Sequence, residues 1–233
     1  MTYLYMLLNL GSLSIPFLFS FHPKLKFYKK WRSLLPALII TMLVFIPWDV
    51  VFTDQGFWGF NPNYYLGSTI FGLPIEEWLF FICIPYACVF THYALGYYFK
   101  NFKLSLKWTK YFGLGLAISL LVILSFNYDR WYTLINFGLG VILILIGIKT
   151  NIELLRRFFC TFLVMLIPFF IVNGILTGSA IESEVVWYND AENLGIRMGT
   201  IPVEDSIYAF SMIFMNLLLL EFFESRLFGN QTV

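Results

Sequence analysis

The organisation of this chain is set by residues 66–78, LGSTIFGLPIEEW, which place two adjacent acids directly after a proline and ahead of a long apolar run. The pattern returns in residues 194–205, LGIRMGTIPVED. The acids are Glu76 and Glu77 in the first copy, and Glu204 and Asp205 in the second. Every matching position is shifted by the separation of Pro74 from Pro202, here called the motif offset. Two copies of an acid pair in an apolar protein indicate proton chemistry on an apolar substrate.

The composition is that of an integral membrane protein. Of the 233 residues, 59% are hydrophobic and 12% are charged, against about a quarter charged in soluble domains. Seven apolar segments are predicted to be helices, because backbone within hydrocarbon must satisfy its own hydrogen bonds. The segments lie near Tyr3–Phe21, Leu34–Val51, Pro74–Phe99, Tyr111–Phe126, Trp131–Gly147, Phe158–Leu176 and Pro202–Phe223.

Basic residues predict how these helices are oriented. The first, third and fifth connectors and the C-terminal end together carry 13 Lys and Arg, whereas the opposite side carries Arg130 and Arg197 alone. The positive-inside rule therefore places the N-terminus outside and the C-terminus in the cytoplasm. The acids cluster at the outer side, where both acid pairs lie. The first segment lacks a basic start, so we expect a helix that stays and no cleaved signal peptide.

The duplication extends beyond the motif and predicts the architecture. The motif offset lays segments 1, 2 and 3 on segments 5, 6 and 7, and segment 4 restores the orientation of the second copy. We therefore expect an all-α membrane protein with seven transmembrane helices, built as two parallel three-helix repeats joined by a linker helix. The repeats are predicted over 1–108 and 129–233, with the linker over 109–128. Both acid pairs would then face one central cavity.

The acid pairs fall in the first turn of segments 3 and 7, because proline is favoured at a helix start. Neighbouring side chains on a helix point about 100° apart, so one acid of each pair can face the cavity. One member of a pair can stay neutral while the other is ionised. The alternative is that the acids only complement the helix dipole, worth about 0.3–1 kcal/mol, which explains single acids better than two repeated pairs.

Other polar and aromatic residues near the motif are candidates for supporting roles. Trp48 and Asp49 end segment 2, and Asn173 and Thr177 end segment 6, where they can orient a carboxylate or simply mark a helix end.

The connectors 54–73 and 178–201 are rich in aromatics, so they can form lids that stabilise a cation or can lie on the membrane surface. Trp58 in the first connector and Trp78 beside its acid pair are further supporting candidates. Arg197 either holds an acid of the second pair ionised or pairs with Asp190 or Glu192. His92 is expected to be a satisfied buried polar group.

Several classes of protein are excluded. The net charge of +1 gives no basic field for nucleic acid. No dinucleotide or phosphate-loop motif occurs, and Cys83, Cys88 and Cys160 match no metal pattern. Segment 7 has no lysine for a retinal Schiff base, and no aspartate-rich boxes occur that would bind a magnesium diphosphate. We expect no metal and no cofactor.

The motifs resemble those of the membrane lycopene cyclases of the heterodimeric or fused type, and the resemblance spans essentially the whole chain. These proteins occur as two small subunits in actinobacteria and as fusions in archaea, other bacteria and fungi. The chain departs from the pattern in having Glu-Asp where Glu-Glu is expected in the second copy. The matching runs are Pro74-Ile75-Glu76-Glu77, Pro202-Val203-Glu204-Asp205, Trp48-Asp49, Asn173-Gly174 and Gly195-Ile196-Arg197.

The resemblance implies a redox-neutral carotenoid cyclase in the cytoplasmic membrane of a prokaryote, acting on lycopene or a related linear carotenoid among membrane lipid, with a homo-oligomer left open. An acid would protonate the ψ-end, a ring would close through a carbocation, and a base would remove a proton to give a β-ionone ring. Glu76 and Glu204 are predicted to transfer the protons, with Glu77 and Asp205 tuning them, so that Glu76→Gln or Glu204→Gln abolishes cyclisation. The alternatives are a small proton-coupled transporter and a lipid- or carotenoid-binding membrane protein.

Overall fold

The protein is a bundle of seven long helices, in a computed structural model that describes residues 2–229. Each predicted apolar segment corresponds to one helix. A short 3₁₀ turn, Phe27–Lys30, leads into α2. The helices are α1 (Leu4–Phe19), α2 (Trp31–Asp54), α3 (Ile75–Tyr98), α4 (Leu106–Phe126), α5 (Trp131–Thr150), α6 (Ile152–Leu176) and α7 (Val203–Phe228).

Six of these helices, α2 to α7, are long and apolar enough to cross a membrane. The first, α1, has 16 residues and is also apolar, but it is shorter than the roughly 20 residues that usually span a bilayer. This set of helices marks the chain as a multi-pass membrane protein.

Glycines let the helices of the second half approach closely. A Cβ atom on Gly147 of α5 would lie 2.6 Å from the Phe214 ring of α7, and one on Gly140 would lie 2.9 Å from Ile207. Small residues at such contacts are typical of helix packing within membranes. Elsewhere in the bundle α1 packs on α3, α2 packs on α7, and α4 packs on α5 and α6.

The connectors contain strands, which an all-helical reading of the sequence does not anticipate. Three antiparallel two-stranded ribbons lie at the end of the bundle where α3 and α7 begin, here called the motif end. Two of them are hairpins that lead directly into α3 and α7, and the third joins the two halves of the chain. The strands are β1 (Trp58–Phe60), β2 (Thr69–Ile70), β3 (Leu73–Pro74), β4 (Val186–Tyr188), β5 (Arg197–Met198) and β6 (Ile201–Pro202).

The hairpins follow from the turn residues of the two motif copies. In the first, Phe71 and Gly72 both have positive φ (51° and 81°), as a type I′ turn requires. In the second, Gly199 has a φ of 68° at the first central position, where a type II′ turn favours glycine. Each hairpin ends in the motif proline, so the acid pair starts the helix at a fixed place.

The ribbon β1–β4 relates the two halves directly. Gly59 lies opposite Trp187, and these two residues are separated by the motif offset. The middle of the ribbon therefore pairs equivalent positions of the two halves. A Cβ atom on Gly59 would lie 2.4 Å from the Trp187 ring, which explains the glycine. The ribbon carries Trp58 and Tyr188 over the motif end of the bundle.

Candidate active site

The first acid of each pair holds its own connector in place. Glu76 Oε1 accepts a hydrogen bond from the backbone N–H of Leu66 at 2.8 Å, and Glu204 Oε1 accepts one from that of Leu194 at 2.7 Å. Both side chains are fully buried. Leu66 and Leu194 are the first residues of the two motif copies, so the first acid of each pair joins the two ends of its own copy by a hydrogen bond.

The same helix turn is clamped by an asparagine from the neighbouring helix. Asn9 of α1 donates to the backbone carbonyl of Glu76, and Asn136 of α5 donates to that of Glu204, both at 2.7 Å. Thr133 adds a second bond to the Glu204 carboxyl at 2.7 Å. The separation of the two asparagines is one position shorter than the motif offset, so the single predicted shift is wrong by one position for α1 and α5.

The second acid of each pair faces a cavity in the bundle. Glu77 accepts a hydrogen bond from the hydroxyl of Tyr5. Asp205 is held by three donors: the hydroxyl of Tyr132 at 2.5 Å, the amide of Asn173 at 2.8 Å and the hydroxyl of Tyr188 at 3.0 Å.

A third carboxyl lies beside these two. Asp49 lines the same end of the cavity as Glu77, and its Oδ1 accepts a bond from the Trp58 indole at 2.6 Å. Asn173 of α6 lies beside Asp205 of α7, and Asp49 of α2 has the corresponding place beside Glu77 of α3. The motif offset pairs Asp49 with Thr177 instead, a full helical turn beyond Asn173, so it does not hold in α2 and α6.

The cavity has a volume of about 300 Å³ and carries its acids at one end. Asp49, Glu77 and Asp205 line its head, whereas Glu76 and Glu204 are outside it. From Glu77 it follows α3 as far as Thr91, a distance of about 21 Å at 1.5 Å per residue. Its walls are mostly apolar side chains of α3, α6 and α7, so it is an elongated apolar chamber with a carboxyl head.

Aromatic rings surround the acids. The Trp58 ring lies 5.0 Å from that of Tyr132 and 6.2 Å from that of Tyr188, measured between centroids, and all three line the cavity. Burial, followed by the charge of Asp205, raises the pKa of Tyr188 well above its ordinary value. Tyr188 therefore stays a neutral phenol and keeps donating its hydrogen bond to Asp205 at ordinary pH.

Three of the predicted supporting residues do not line the cavity, and two of them hold the connectors in place. The Trp78 indole donates to the carbonyl of Ile70 at 3.3 Å, which holds the first hairpin. Thr177 bonds the hydroxyl of Thr200 at 2.8 Å, which holds the second. Trp48 packs on Tyr208, with ring centroids 5.2 Å apart.

Two further candidates are also satisfied by local partners. Arg197 pairs with Asp190 at 2.6 Å and donates to the carbonyl of Thr200 at 3.0 Å, which is the second of the two alternatives for this residue. His92 is buried, and its Nδ1 bonds Thr161 Oγ1 at 2.8 Å, as expected of a satisfied polar group.

Sequence reasoning named Asn173, which donates to Asp205, but it missed the tyrosines and the other two asparagines of the site. Tyr5 and Tyr132 recur at the same separation as Asn9 and Asn136. A single shift along the whole chain hides both pairs, and alignment of α1 with α5 alone would have revealed them. Tyr188 has no such signal, because its place depends on the pairing of β1 with β4.

The fold and site define a multi-pass helical protein with carboxyl groups at the head of an elongated apolar chamber. The family model described as "Lycopene cyclase" matches residues 2–95 and 129–223, and the chain belongs to this family.

A curated relative is the "Bifunctional lycopene cyclase/phytoene synthase" of Aspergillus oryzae, 34% identical over 56 residues. This match covers 24% of the present chain and 10% of the relative. No solved structure matches the chain.

Proposed function

We propose that the protein is a lycopene β-cyclase, an intramolecular lyase that isomerises the ψ-end of a linear carotenoid to a β-ionone ring. Family membership supports the reaction class. The observation that carries the proposal is the convergence of Asp49, Glu77 and Asp205 at the head of an otherwise apolar chamber. A hydrocarbon substrate needs such walls, and its cyclisation needs proton transfer at one end.

The chamber suits one end of an extended polyene. Its volume of about 300 Å³ lies at the low end of the roughly 300–1,000 Å³ range of ligand pockets. Its length along α3, about 21 Å, is large for that volume. The chamber is therefore narrow, as a linear chain with a small end group requires.

The reaction is a proton-in, proton-out isomerisation. The terminal double bond takes a proton from an acid and leaves a tertiary cation. The electron pair of an internal double bond then forms the ring carbon–carbon bond and moves the positive charge into the ring. A base removes a ring proton and restores a double bond, so the substrate keeps its formula.

We assign the proton transfers to Glu77, Asp49 and Asp205, in place of Glu76 and Glu204. Asp49 and Glu77 line the same end of an apolar chamber, where two negative charges would repel, so a proton retained by one of them is the acid of the first step. Asp205 faces three hydrogen-bond donors, which favour its carboxylate form. A carbocation is acidic enough to be deprotonated by so stabilised a base.

The aromatic rings at the chamber head have a place in this mechanism. A cation within about 6 Å of a tryptophan or tyrosine face is stabilised by the ring, more so where water is excluded. Trp58, Tyr132 and Tyr188 stand beside the carboxyls where the cation would form. Their ring faces would stabilise the positive charge at the place where it forms.

We also propose that all seven helices span the membrane, as parallel repeats over 1–108 and 129–233 with a linker over 109–128. The excess of basic residues at the opposite end of the bundle supports an outside N-terminus and a cytoplasmic C-terminus. The motif end, with its acids, would then lie near the outer face of a prokaryotic cytoplasmic membrane. Cysteine labelling from either side of the membrane tests this orientation.

The test of function is expression in bacteria that accumulate lycopene, with analysis of the pigments. We expect cyclic carotene from the natural chain and at least a hundredfold less from Asp205→Asn or Glu77→Gln, the range that acid–base catalysis contributes. Asp54→Asn, an exposed acid at the end of α2, is the matched control and should keep its product. Unchanged lycopene beside abundant, membrane-inserted natural protein would refute the proposal.

A further inference from the structure

The two sides of the bundle differ in the space that they leave for a substrate. The chamber lies between α3 and α6. Because α7 repeats α3 and α2 repeats α6, the counterpart of this space is the contact of α2 with α7. A strictly duplicated protein would have two chambers, one on each side of the shared carboxyls.

Three small residues open the chamber wall: Ser12 of α1, Ala87 of α3 and Ala209 of α7. The hydrogen bonds of the site show which positions of the two repeats correspond. Positions of α1 and α5 correspond at the separation of Asn9 from Asn136, and positions of α3 and α7 correspond at the motif offset. This correspondence assigns each small residue a large counterpart. The counterparts are Leu139 for Ser12, Met215 for Ala87 and Phe81 for Ala209.

The three large counterparts pack into one cluster that fills the second space. Phe81 is 1% exposed, and its ring centroid lies 6.3 Å from that of Phe45, which is fully buried. Phe45 in turn lies 5.1 Å from Tyr208 of α7 in an edge-on contact. Leu139 and Met215 pack against the same cluster. All three large residues therefore lie at the second space, and all three of their small counterparts line the chamber.

We propose that the protein holds one end of one polyene at a time, because Phe81, Leu139 and Met215 close the space in which a second would lie. The identity of the polyene rests on the proposed function. The carboxyls of both halves then serve a single chamber. A product cyclised at both ends must arise by release of the singly cyclised carotene and re-entry of its other end.

The first test counts carotenoid molecules per chain. Purified protein in phosphatidylcholine–phosphatidylglycerol nanodiscs is saturated with lycopene, washed, and extracted, and all carotenoid is quantified whether converted or not. We expect one molecule per chain. Two molecules per chain would overturn the inference.

The second test opens the closed space with Phe81→Ala combined with Met215→Ala. We expect the folded double variant to retain two carotenoids per chain. The control is Phe214→Ala, which removes an equally buried ring of α7 away from both spaces and should leave the count at one. A folded double variant that still binds one carotenoid contradicts the assignment of the closing residues.

A third test fills the open chamber, and it does not depend on the folding of the opened variant. Ala209→Phe places in the chamber the residue that closes its counterpart, and we expect at least a tenfold loss of bound carotenoid in the purified protein. Undiminished binding would contradict the inference.

A chase experiment needs no variant. Labelled lycopene is converted by the natural protein in the presence of a late excess of unlabelled lycopene. Labelled carotene cyclised at one end should accumulate, whereas undiminished labelled bicyclic product would show that both ends react without release.

These results separate the inference from the proposed function. A protein that binds one lycopene without converting it supports the single chamber and refutes the cyclase. A protein that cyclises lycopene while binding two molecules does the opposite.

Discussion

At the scale of single residues, adjacent acids divide the work because a helix turns them apart. The first acid of each pair points to its own connector and accepts a backbone N–H there through its Oε1, whereas the second points into the chamber. Neighbouring side chains on a helix point about 100° apart, and at these helix starts the difference sends only the second acid of each pair into the chamber. We therefore expect the first acids, Glu76 and Glu204, to hold the structure, and the second acids, Glu77 and Asp205, to take part in the chemistry.

Glu204→Gln tests this division against the sequence-based assignment. The amide oxygen of glutamine can still accept the bonds from Leu194 and Thr133, so we expect the variant to retain more than a third of the natural cyclase activity. Pigment analysis normalised to membrane-inserted protein measures it. A loss as large as that of Asp205→Asn would return Glu204 to the catalytic set.

Glu204→Ala should instead lower stability. The N–H of Leu194 would lose its acceptor, and a buried unsatisfied donor costs about 1–3 kcal/mol. Thermal unfolding in detergent, followed by intrinsic tryptophan fluorescence, should show a lower midpoint for this variant than for Glu204→Gln. Equal midpoints would mean that the connector does not depend on this carboxyl.

At the scale of elements, the hairpins and the glycines decide where the helices stand. The β2–β3 and β5–β6 hairpins fix the starts of α3 and α7, and glycines on α5 set how near α7 can come. The chamber depends on both, because its head is formed at the helix starts and its walls by the same helices farther down.

Gly147→Val tests the helix contact. Its added atoms would meet the Phe214 ring, since a Cβ alone comes within 2.6 Å, and overpacking of this kind costs about 1–3 kcal/mol. Gly138→Val, on the same helix with nothing within 4 Å of its Cβ, is the matched control. We expect a clear drop in the unfolding midpoint for the first variant only, and equal drops would contradict the packing argument.

At the scale of the whole molecule, the site exists only when both halves are present. Glu77 and Asp49 come from the first half, and Asp205 with its three donors comes from the second. The β1–β4 ribbon and the contact of α2 with α7 hold the halves together.

Division of the chain into 1–108 and 109–233 tests this dependence. We expect neither piece alone to convert lycopene, because each lacks part of the carboxyl set. Their co-expression should restore cyclic carotene, because the halves meet through a ribbon and helix faces that do not require the linking peptide. Activity of one piece alone would show that its own acids suffice.

The amino-acid sequence was enough to predict the helices, the repeated motif and the resemblance to the family. Length and apolarity define the segments, and the acid pairs after Pro74 and Pro202 identify the motif end. These signals are local, since each is written in neighbouring residues or in a fixed spacing.

The three-dimensional packing was needed to see which acids face the chamber, which tyrosines hold them and on which side of the bundle the chamber is open. Side-chain direction depends on where a helix starts, and the start is set by hairpins that the sequence pattern did not reveal. The repeat register also differs among the three helix pairs, because connectors differ in length between the halves. A rigid shift therefore cannot pair Ala209 with Phe81 and Ser12 with Leu139 at once, whereas packing places both pairs in three dimensions.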